Sequence, residues 1–176
     1  MEREILGLWG SVGMPLEKTD QQHLERAQGY SALGMFLEAN EELEEITPDV
    51  RHVPEVLVVR SAIYHGTGRW SAMAVVAAKL VEFDPTEPGW FINLAYATRR
   101  AESLENAHTI LLRAEKIHPQ NGNIQFNIAC YQAQLGNIES AKQHLARATR
   151  MNSKFRQLAL DDSDLESLWE HVRSLE

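Results

Sequence analysis

The amino-acid sequence predicts an all-α fold built from antiparallel helix hairpins that repeat along the chain. The main observation is an internal repeat between residues 91 and 148, in which small, polar and apolar residues recur at a spacing of 34. The recurring pairs are Asn93 and Asn127, Leu94 and Ile128, Ala95 and Ala129, Ala107 and Ala141, Leu111 and Leu145, and Ala114 and Ala148. A period of this length with small residues at fixed places is typical of helical-hairpin repeats. A second observation is that the helical periodicity starts at Lys18 and continues through the repeat.

A third observation is the placement of residues that end helices. Gly34, Gly68 and Gly136 lie at matching places, where glycine ends the first helix of a unit by adopting a positive φ angle. Pro85 and Pro119 lie 34 residues apart and stop the second helix of a unit before the next unit begins. A column of large apolar residues has the same spacing of 34 residues and comprises Phe36, Trp70, Leu104 and Ile138. These columns define four units, at residues 20–53, 54–87, 88–121 and 122–155.

Three residues depart from this pattern. Pro48 arrives early in the first unit, so its second helix is expected to be short, at about residues 36–46. A bent linker then leads to Pro54, which starts the next helix at a position that proline favours. Met73 replaces the small residue of the second unit, and Glu102 replaces the turn glycine of the third. The first unit is therefore the least regular of the four.

The last residues of the chain form a tail that does not match the repeat. A short helix is expected at residues 154–160, followed by a final helix that Ser163 caps with Glu166 as its capping-box partner. The apolar stripe of this final helix consists of Leu165, Leu168, Trp169 and Val172. We expect residues 156–176 to cover the open face of the fourth unit, because the terminal units of stacked repeats need such a cover to stay soluble.

These columns resemble those of the tetratricopeptide repeat (TPR) family over about residues 20–155, most closely in the third and fourth units. The resemblance implies a right-handed superhelical stack of antiparallel helix hairpins, a TPR-like α-solenoid, with a C-terminal capping helix. Residues 17–155 then form four TPR-like hairpins. Residues 1–16 form an N-terminal segment, which either caps the core or docks Leu8 and Trp9 into a groove.

The resemblance also implies that the first helix of each unit lines a concave groove. The positions facing this groove are then Glu25 and Gln28 in the first unit, Val58, Val59 and Ala62 in the second, Ile92, Asn93, Tyr96, Arg99 and Arg100 in the third, and Phe126, Asn127, Cys130 and Gln134 in the fourth. The groove is expected to be apolar at its centre, with asparagines and arginines at chosen points. Tyr96 and Phe126 either anchor a ligand or pack under the N-terminal segment.

The polar residues of this groove have two interpretations. Asparagine offers a donor and an acceptor, and in related TPR grooves it grips the backbone of an extended peptide, a role that carries over to Asn93 and Asn127. Alternatively, both asparagines satisfy polar groups between neighbouring helices. Arg99 and Arg100 lie at a helix end, where the helix dipole favours cations, and one of them could instead pair with a carboxylate.

One TPR function, the carboxylate clamp that binds chaperone tails, is not predicted. Its lysine and arginine positions hold Val58, Asn123 and Asn127 here, so a terminal carboxylate would meet no cation at those places.

Charge and composition exclude several classes of partner. The net charge is −8, and residues 1–50 account for all of it, with 11 acidic and 3 basic side chains. Nucleic acids and anionic membrane surfaces are therefore not expected partners, because both require a surplus of lysine and arginine. No apolar run approaches the roughly 18 residues of a membrane span, and the N-terminal residues do not resemble a signal peptide. The single cysteine, Cys130, fits a reducing compartment, so a cytoplasmic location is expected.

Motifs for catalysis, cofactors or metals are not found in the sequence. The seven histidines stand singly, and the chain contains no C-x-x-C pair, phosphate loop or nucleophile elbow. We therefore expect neither a metal site nor a cofactor, and no enzymatic activity.

The sequence thus favours a cytoplasmic, non-enzymatic scaffold that holds a peptide segment or a helix of a protein partner in its groove. Two alternatives remain open at this stage. One is a self-associating structural protein, a homo-oligomer in which residues 1–16 fill a groove. The other is a small secretion-type chaperone, because such TPR proteins are similar in length and acidity.

Overall fold

A computed structural model of the chain describes residues 16–174, and the regular secondary structure of this part is helical, without strands, as predicted. Its α-helices are α1 (Lys18–Ala32), α2 (Phe36–Glu45), α3 (Pro54–Gly66), α4 (Trp70–Phe83), α5 (Pro88–Ala101), α6 (Leu104–Ile117), α7 (Gly122–Gln134), α8 (Ile138–Met151), α9 (Lys154–Asp161) and α10 (Trp169–Arg173). Short 3-10 helices lie at Pro48–Val50 and Ser163–Leu168. The proposed N-terminal docking segment, residues 1–16, lies outside the described residues apart from Leu16.

The chain divides into two compact units, an N-terminal unit at Met1–Gly68 and a C-terminal unit at Arg69–Glu176. The described part of the N-terminal unit holds α1 to α3, and that of the C-terminal unit holds α4 to α10. Within the C-terminal unit α4 packs on α5, α5 on α6, α6 on α7 and α7 on α8. Consecutive helices are therefore neighbours, as expected for helical hairpins.

In the N-terminal unit, the early proline shortens the second helix as predicted. Helix α2 ends at Glu45, and α3 begins at Pro54 after the 3-10 turn. The buried carboxylate of Asp20 accepts hydrogen bonds from the backbone N–H of Thr47 (2.8 Å) and from its hydroxyl (3.1 Å), which ties α1 to the linker. The ring of Phe36 fills the space where Gly66 would carry a side chain, because a Cβ there would lie 2.0 Å from the ring.

The connections that follow α1, α3 and α7 contain the glycines of the predicted column. Gly34, Gly68 and Gly136 have φ angles of 75°, 67° and 79°, in the left-handed region that glycine enters without strain. The predicted role of the three glycines is confirmed. Glu102 replaces glycine with a φ angle of −131°, and α6 begins two residues later, with the Ser103 side chain accepting from the N–H of Asn106. This serine cap starts α6 without a left-handed turn residue.

Small residues occupy the helix crossings of the C-terminal unit. Ala95, Ala107, Ala129 and Ala141 have no exposed surface at all, which is consistent with close approach of the paired helices. Phe91, Leu111, Ile128 and Leu145 fill the same core.

A buried polar network fixes α7 between its neighbours. The Gln125 side chain is 1% exposed, and its amide donates to Glu115 Oε1 on α6 at 3.0 Å. Its carbonyl oxygen lies 2.8 Å from Nδ1 of His144 on α8. Burial lowers the pKa of His144, so the neutral ring, with Nδ1 as the donor, suits this contact. The network sets the position of α7 and, with it, the direction in which its other face points.

The C-terminal tail differs in detail from the prediction. Asp162, rather than Ser163, caps the segment, with its side chain accepting from the N–H of Asp164 at 2.9 Å. The segment begins as a 3-10 helix and becomes α-helical only at Trp169. Three of the four predicted stripe residues, Leu165, Leu168 and Val172, are at most 1% exposed and belong to the core of the C-terminal unit. The 3-10 helix packs on α7, and α9 packs on α8.

Candidate functional site

The candidate site consists of the α5 and α7 residues predicted to line the groove, most of which are half-buried or exposed. Cys130 is the exception, because it belongs to the hydrophobic core of the C-terminal unit. On α5 the residues Phe91, Leu94, Ala95 and Thr98 are buried. The predicted groove residues of α5 occur at the complementary helical positions and are half-buried or exposed: Ile92, Asn93, Tyr96, Arg99 and Arg100. On α7 the corresponding row is Asn123, Phe126, Asn127, Cys130 and Gln134. We call these two rows the α5–α7 face.

The C-terminal tail occupies one end of this face. Both terminal nitrogens of the Arg99 guanidinium donate to the carboxylate of Asp164, with Nη2 at 3.0 Å from Oδ1. The hydrogen bonds that Arg99 donates to Asp164 raise the pKa of the guanidinium, against a smaller lowering by burial. The side-chain amide of Gln134 donates to the backbone carbonyl of the same aspartate at 3.0 Å. Arg99 and Gln134 are thus engaged by the chain itself.

Cys130 also faces this tail. Its side chain is 4% exposed, and its thiol donates to Asp162 Oδ2 at 3.5 Å. Burial, and then the negative charge of Asp162, raise the pKa of the thiol well above its ordinary value. The neighbouring Tyr131 hydroxyl is affected similarly, since burial raises its pKa to about 12. A thiol in this setting is a weak nucleophile, because the thiolate is the reactive form.

We therefore expect native Cys130 to react with iodoacetamide more than about a hundredfold more slowly than in the unfolded chain. The rate can be followed by mass spectrometry at neutral pH, in buffer and in guanidinium chloride. The unfolded chain is the control, because it contains the same thiol without burial. Equal rates in both solutions would contradict the buried position of this residue.

The two asparagines of the face differ in their hydrogen bonding. The Asn127 amide nitrogen donates to the backbone carbonyl of Asn123 at 2.8 Å, which leaves its carbonyl oxygen without a partner in the described chain. Asn93 is half-buried and forms no hydrogen bond with any residue between 16 and 174. Its amide is not sealed from solvent, because the only fully buried side-chain polar atom without a partner in that range is Gln132 Oε1. Both the donor and the acceptor of the Asn93 amide are therefore unpaired among the described residues.

Aromatic rings flank the asparagines on both helices. Phe126 stacks on Phe155 of α9, with ring centroids 5.4 Å apart and an interplanar angle of 26°. Tyr96 meets the ring of Trp70 on α4 edge to face, with centroids 5.6 Å apart. The Arg100 guanidinium lies over both of these rings, 4.9 Å from the Trp70 centroid and 4.8 Å from the Tyr96 centroid. The apolar parts of the face are thus held in position by neighbouring helices.

A polar cavity of about 270 Å³ adjoins the amino-terminal end of α7. Its lining consists of Gln120, Asn121, Gly122, Asn123, Met151, Asn152, Lys154 and Phe155. Asn123 belongs to both the cavity and the α5–α7 face, so the two surfaces are continuous at this residue.

Three predicted groove residues lie on α3 of the N-terminal unit, namely Val58, Val59 and Ala62. Val58 is 39% exposed and Ala62 is also exposed, whereas Val59 is 4% exposed and part of the core of this unit. Val59 therefore does not line an outer face of α3 as predicted, because its side chain packs into the core of the N-terminal unit.

Comparison with known proteins gives structural matches only. No family model and no curated protein matches this sequence. The structure of MamA residues 41 to the end from Desulfovibrio magneticus RS-1 has a TM-score of 0.70 at 15% identity, and the match covers 92% of this chain and 97% of that one. Another MamA structure has a TM-score of 0.72 at 14% identity, covering 90% of this chain and 84% of that one. A thermophilic TPR protein from Thermus thermophilus has a TM-score of 0.63 at 22% identity, covering 86% and 82%.

The chain has a TPR-like fold. In the terms of that fold, α5 and α7 are first helices and α6 and α8 are second helices. Identities of this size establish the fold alone, so the function has to be argued from the surface of this chain. Within residues 16–174, no helix is long and apolar enough to cross a membrane. The same residues contain no group of three or more histidine, cysteine or acidic side chains that could hold a metal ion.

Sequence reasoning missed several residues that contact the α5–α7 face, namely Trp70, Phe155, Asp162 and Asp164. A signal for one of them is present in the repeat. Phe36 packs at Gly66, and Trp70 packs at Arg100, in each case 30 residues further along the chain. The large apolar column therefore contacts the end of the following first helix, and this could have predicted the ring beneath Arg100. The aspartates lie outside the repeat, so no periodic signal identifies them.

Proposed function

We propose that this chain is a non-enzymatic protein-interaction scaffold that binds an extended peptide segment, or one side of a helix, on the α5–α7 face. The observation that carries the proposal is Asn93, a half-buried residue whose side-chain amide bonds to no described residue. A polar group in such a place favours a partner that completes its hydrogen bonds.

The neighbours of Asn93 suit a peptide backbone. Ile92 and Tyr96 provide apolar contact on the same side of α5, and Phe126 does so on α7. The carbonyl oxygen of Asn127 can accept from a peptide N–H, while Asn93 can both donate and accept. Arrangements of this kind bind the main chain for affinity and leave selectivity to a few side-chain contacts.

The chemistry of the face supports binding rather than catalysis. Apart from the Tyr96 hydroxyl and the Cys130 thiol, its polar groups are neutral amides and arginines, and burial keeps the thiol protonated. A cytoplasmic location is part of the same proposal, because a single free cysteine is typical of proteins in reducing compartments. We expect a dissociation constant in the micromolar range, about −8 kcal/mol, since a disordered segment loses entropy when it binds.

Replacing Asn93 and Asn127 together with alanine is expected to weaken peptide binding by about five- to a hundredfold, because each lost hydrogen bond contributes about 0.5–1.5 kcal/mol. A partner is first isolated from the native host with the full chain, and its binding segment is then measured as a labelled peptide by fluorescence polarisation. Circular dichroism should show unchanged helicity in the double variant.

Asn106→Ala provides the matched control. Asn106 is exposed on α6, outside the α5–α7 face, and its side-chain amide donates to Glu102. This variant should bind as the original chain does. An unchanged affinity in the double asparagine variant would remove the proposed binding mode.

A further inference from the structure

Arg100 is a cation without a carboxylate partner in the described chain. It is exposed, and its guanidinium forms no hydrogen bond or ion pair with any residue between 16 and 174. The nearest acidic residue in sequence, Glu102, accepts from the Asn106 amide instead, at 2.9 Å. The helix dipole accounts for a positive charge at this end of α5, but not for two aromatic rings arranged around it.

The rings hold the guanidinium in position. Its central carbon lies 4.9 Å from the Trp70 centroid and 4.8 Å from the Tyr96 centroid, and the two ring planes meet at 78°. Cation–π contacts engage the face of a guanidinium and leave the N–H groups on its edge available. An arginine held in this way loses little side-chain entropy when it pairs with a planar carboxylate.

The neighbouring residue demonstrates this kind of pairing within the same molecule. Arg99 is held by two hydrogen bonds to the carboxylate of Asp164, which belongs to an acidic segment lying against α7. Arg99 and Arg100 thus differ in their pairing. The first is paired by the chain itself, and the second presents the same chemistry to solvent.

The proposed function and this arginine together constrain the ligand. Arg100 follows Asn93 by seven residues along α5, which corresponds to about 10 Å at 1.5 Å per residue. An extended peptide covers this distance in about three residues. We infer that the partner segment carries an aspartate or glutamate about three residues from the backbone group that Asn93 binds, and that Arg100 binds this side-chain carboxylate. This inference rests on the proposed function and specifies the chemistry of its partner.

The test uses the full chain and a phage-displayed library of random peptides without a free carboxyl terminus, so that only side chains supply carboxylates. The unmodified chain should enrich peptides with an acidic residue at a fixed place. Arg100→Gln should select peptides without that preference. One selected peptide is then compared with a version in which its acidic residue is replaced by the corresponding neutral amide. The neutral version should bind the unmodified chain about tenfold more weakly than the acidic one, whereas the Arg100→Gln variant should bind the two peptides almost equally.

Two further variants separate a binding role from a structural one. Arg100→Lys keeps the charge but loses the planar geometry, and it should recover only part of the affinity. Arg113→Gln is the matched control, because Arg113 is also exposed and also lies over a ring, 5.3 Å from the Phe91 centroid, but on the second helix α6. The Arg113→Gln variant should prefer acidic peptides as strongly as the unmodified chain does. Added salt should weaken the binding of acidic peptides to the unmodified chain more than their binding to Arg100→Gln.

The possible failures are distinguishable. The inference is overturned, and the proposed function stands, if the enriched peptides show no acidic preference. The same holds if Arg100→Gln weakens the acidic and the neutral peptide by the same factor relative to the unmodified chain. Failure to enrich any peptide overturns both. A third outcome is that the double asparagine variant enriches no peptide, while Arg100→Gln still selects peptides with the acidic residue at the same place. The carboxylate would then bind another residue, and the role of Arg100 would be overturned.

Discussion

Leu168→Ala is expected to lower the free energy of unfolding by about 2–5 kcal/mol, the range observed when a buried leucine is truncated and a cavity remains. Leu168 lies in the 3-10 helix of the C-terminal tail, and its side chain has no exposed surface. The tail therefore contributes to the hydrophobic core of the C-terminal unit. Urea denaturation followed by circular dichroism measures the effect.

Leu158→Ala is the matched control, because it makes the same substitution in α9, where the side chain is 44% exposed. A surface change of this kind should stay within about 0.5 kcal/mol. Equal losses for the two variants would mean that the tail does not pack as described. Because the same tail covers Cys130, Leu168→Ala should also increase the rate of thiol alkylation, which gives an independent measurement of the cover.

Ala141→Leu is expected to destabilise the chain by about 1–3 kcal/mol, because a larger side chain in a packed interior forces neighbouring helices apart. Ala141 has no exposed surface where α8 packs on α7, so the added atoms have no open space. The change should appear as a lower midpoint in thermal and urea denaturation, with helicity retained below the transition.

Gln143→Leu introduces the same side chain on the exposed face of the same helix and should leave the midpoint nearly unchanged. If Ala141→Leu were equally harmless, the small residues of the 34-residue repeat would not mark the helix crossings.

The TPR-like architecture could be predicted from the sequence because its determinants are local and recur. Gly136 adopts the positive φ angle expected of a turn glycine, and Pro54 begins α3. Glu102 shows how a departure from the repeat is accommodated, since the hairpin turn loses one residue and Ser103 caps the next helix. Each of these features depends on backbone geometry within a few residues, which the identity of the residue controls directly.

The tail and the surroundings of the candidate site were less predictable. The prediction that Ser163 caps a regular final helix is wrong, because Asp162 takes the capping position and a 3-10 helix follows. The pair of Arg99 and Asp164 joins residues 65 apart in sequence, and no periodic pattern indicates such a contact. Phe126, expected to anchor a ligand or to lie under the N-terminal segment, stacks on Phe155 of α9.

By itself, the sequence determined the helical hairpins, their turns and the small residues at their crossings, because backbone preferences and the 34-residue period act over short distances. Only the tertiary structure decided which polar groups of the first helices remain available to a partner. It pairs Arg99 with Asp164, covers Cys130 with Asp162, and leaves Asn93 and Arg100 without hydrogen-bond partners among the described residues. The physical reason is that a side chain's availability depends on what lies opposite it, and residues distant in sequence are brought there only by folding.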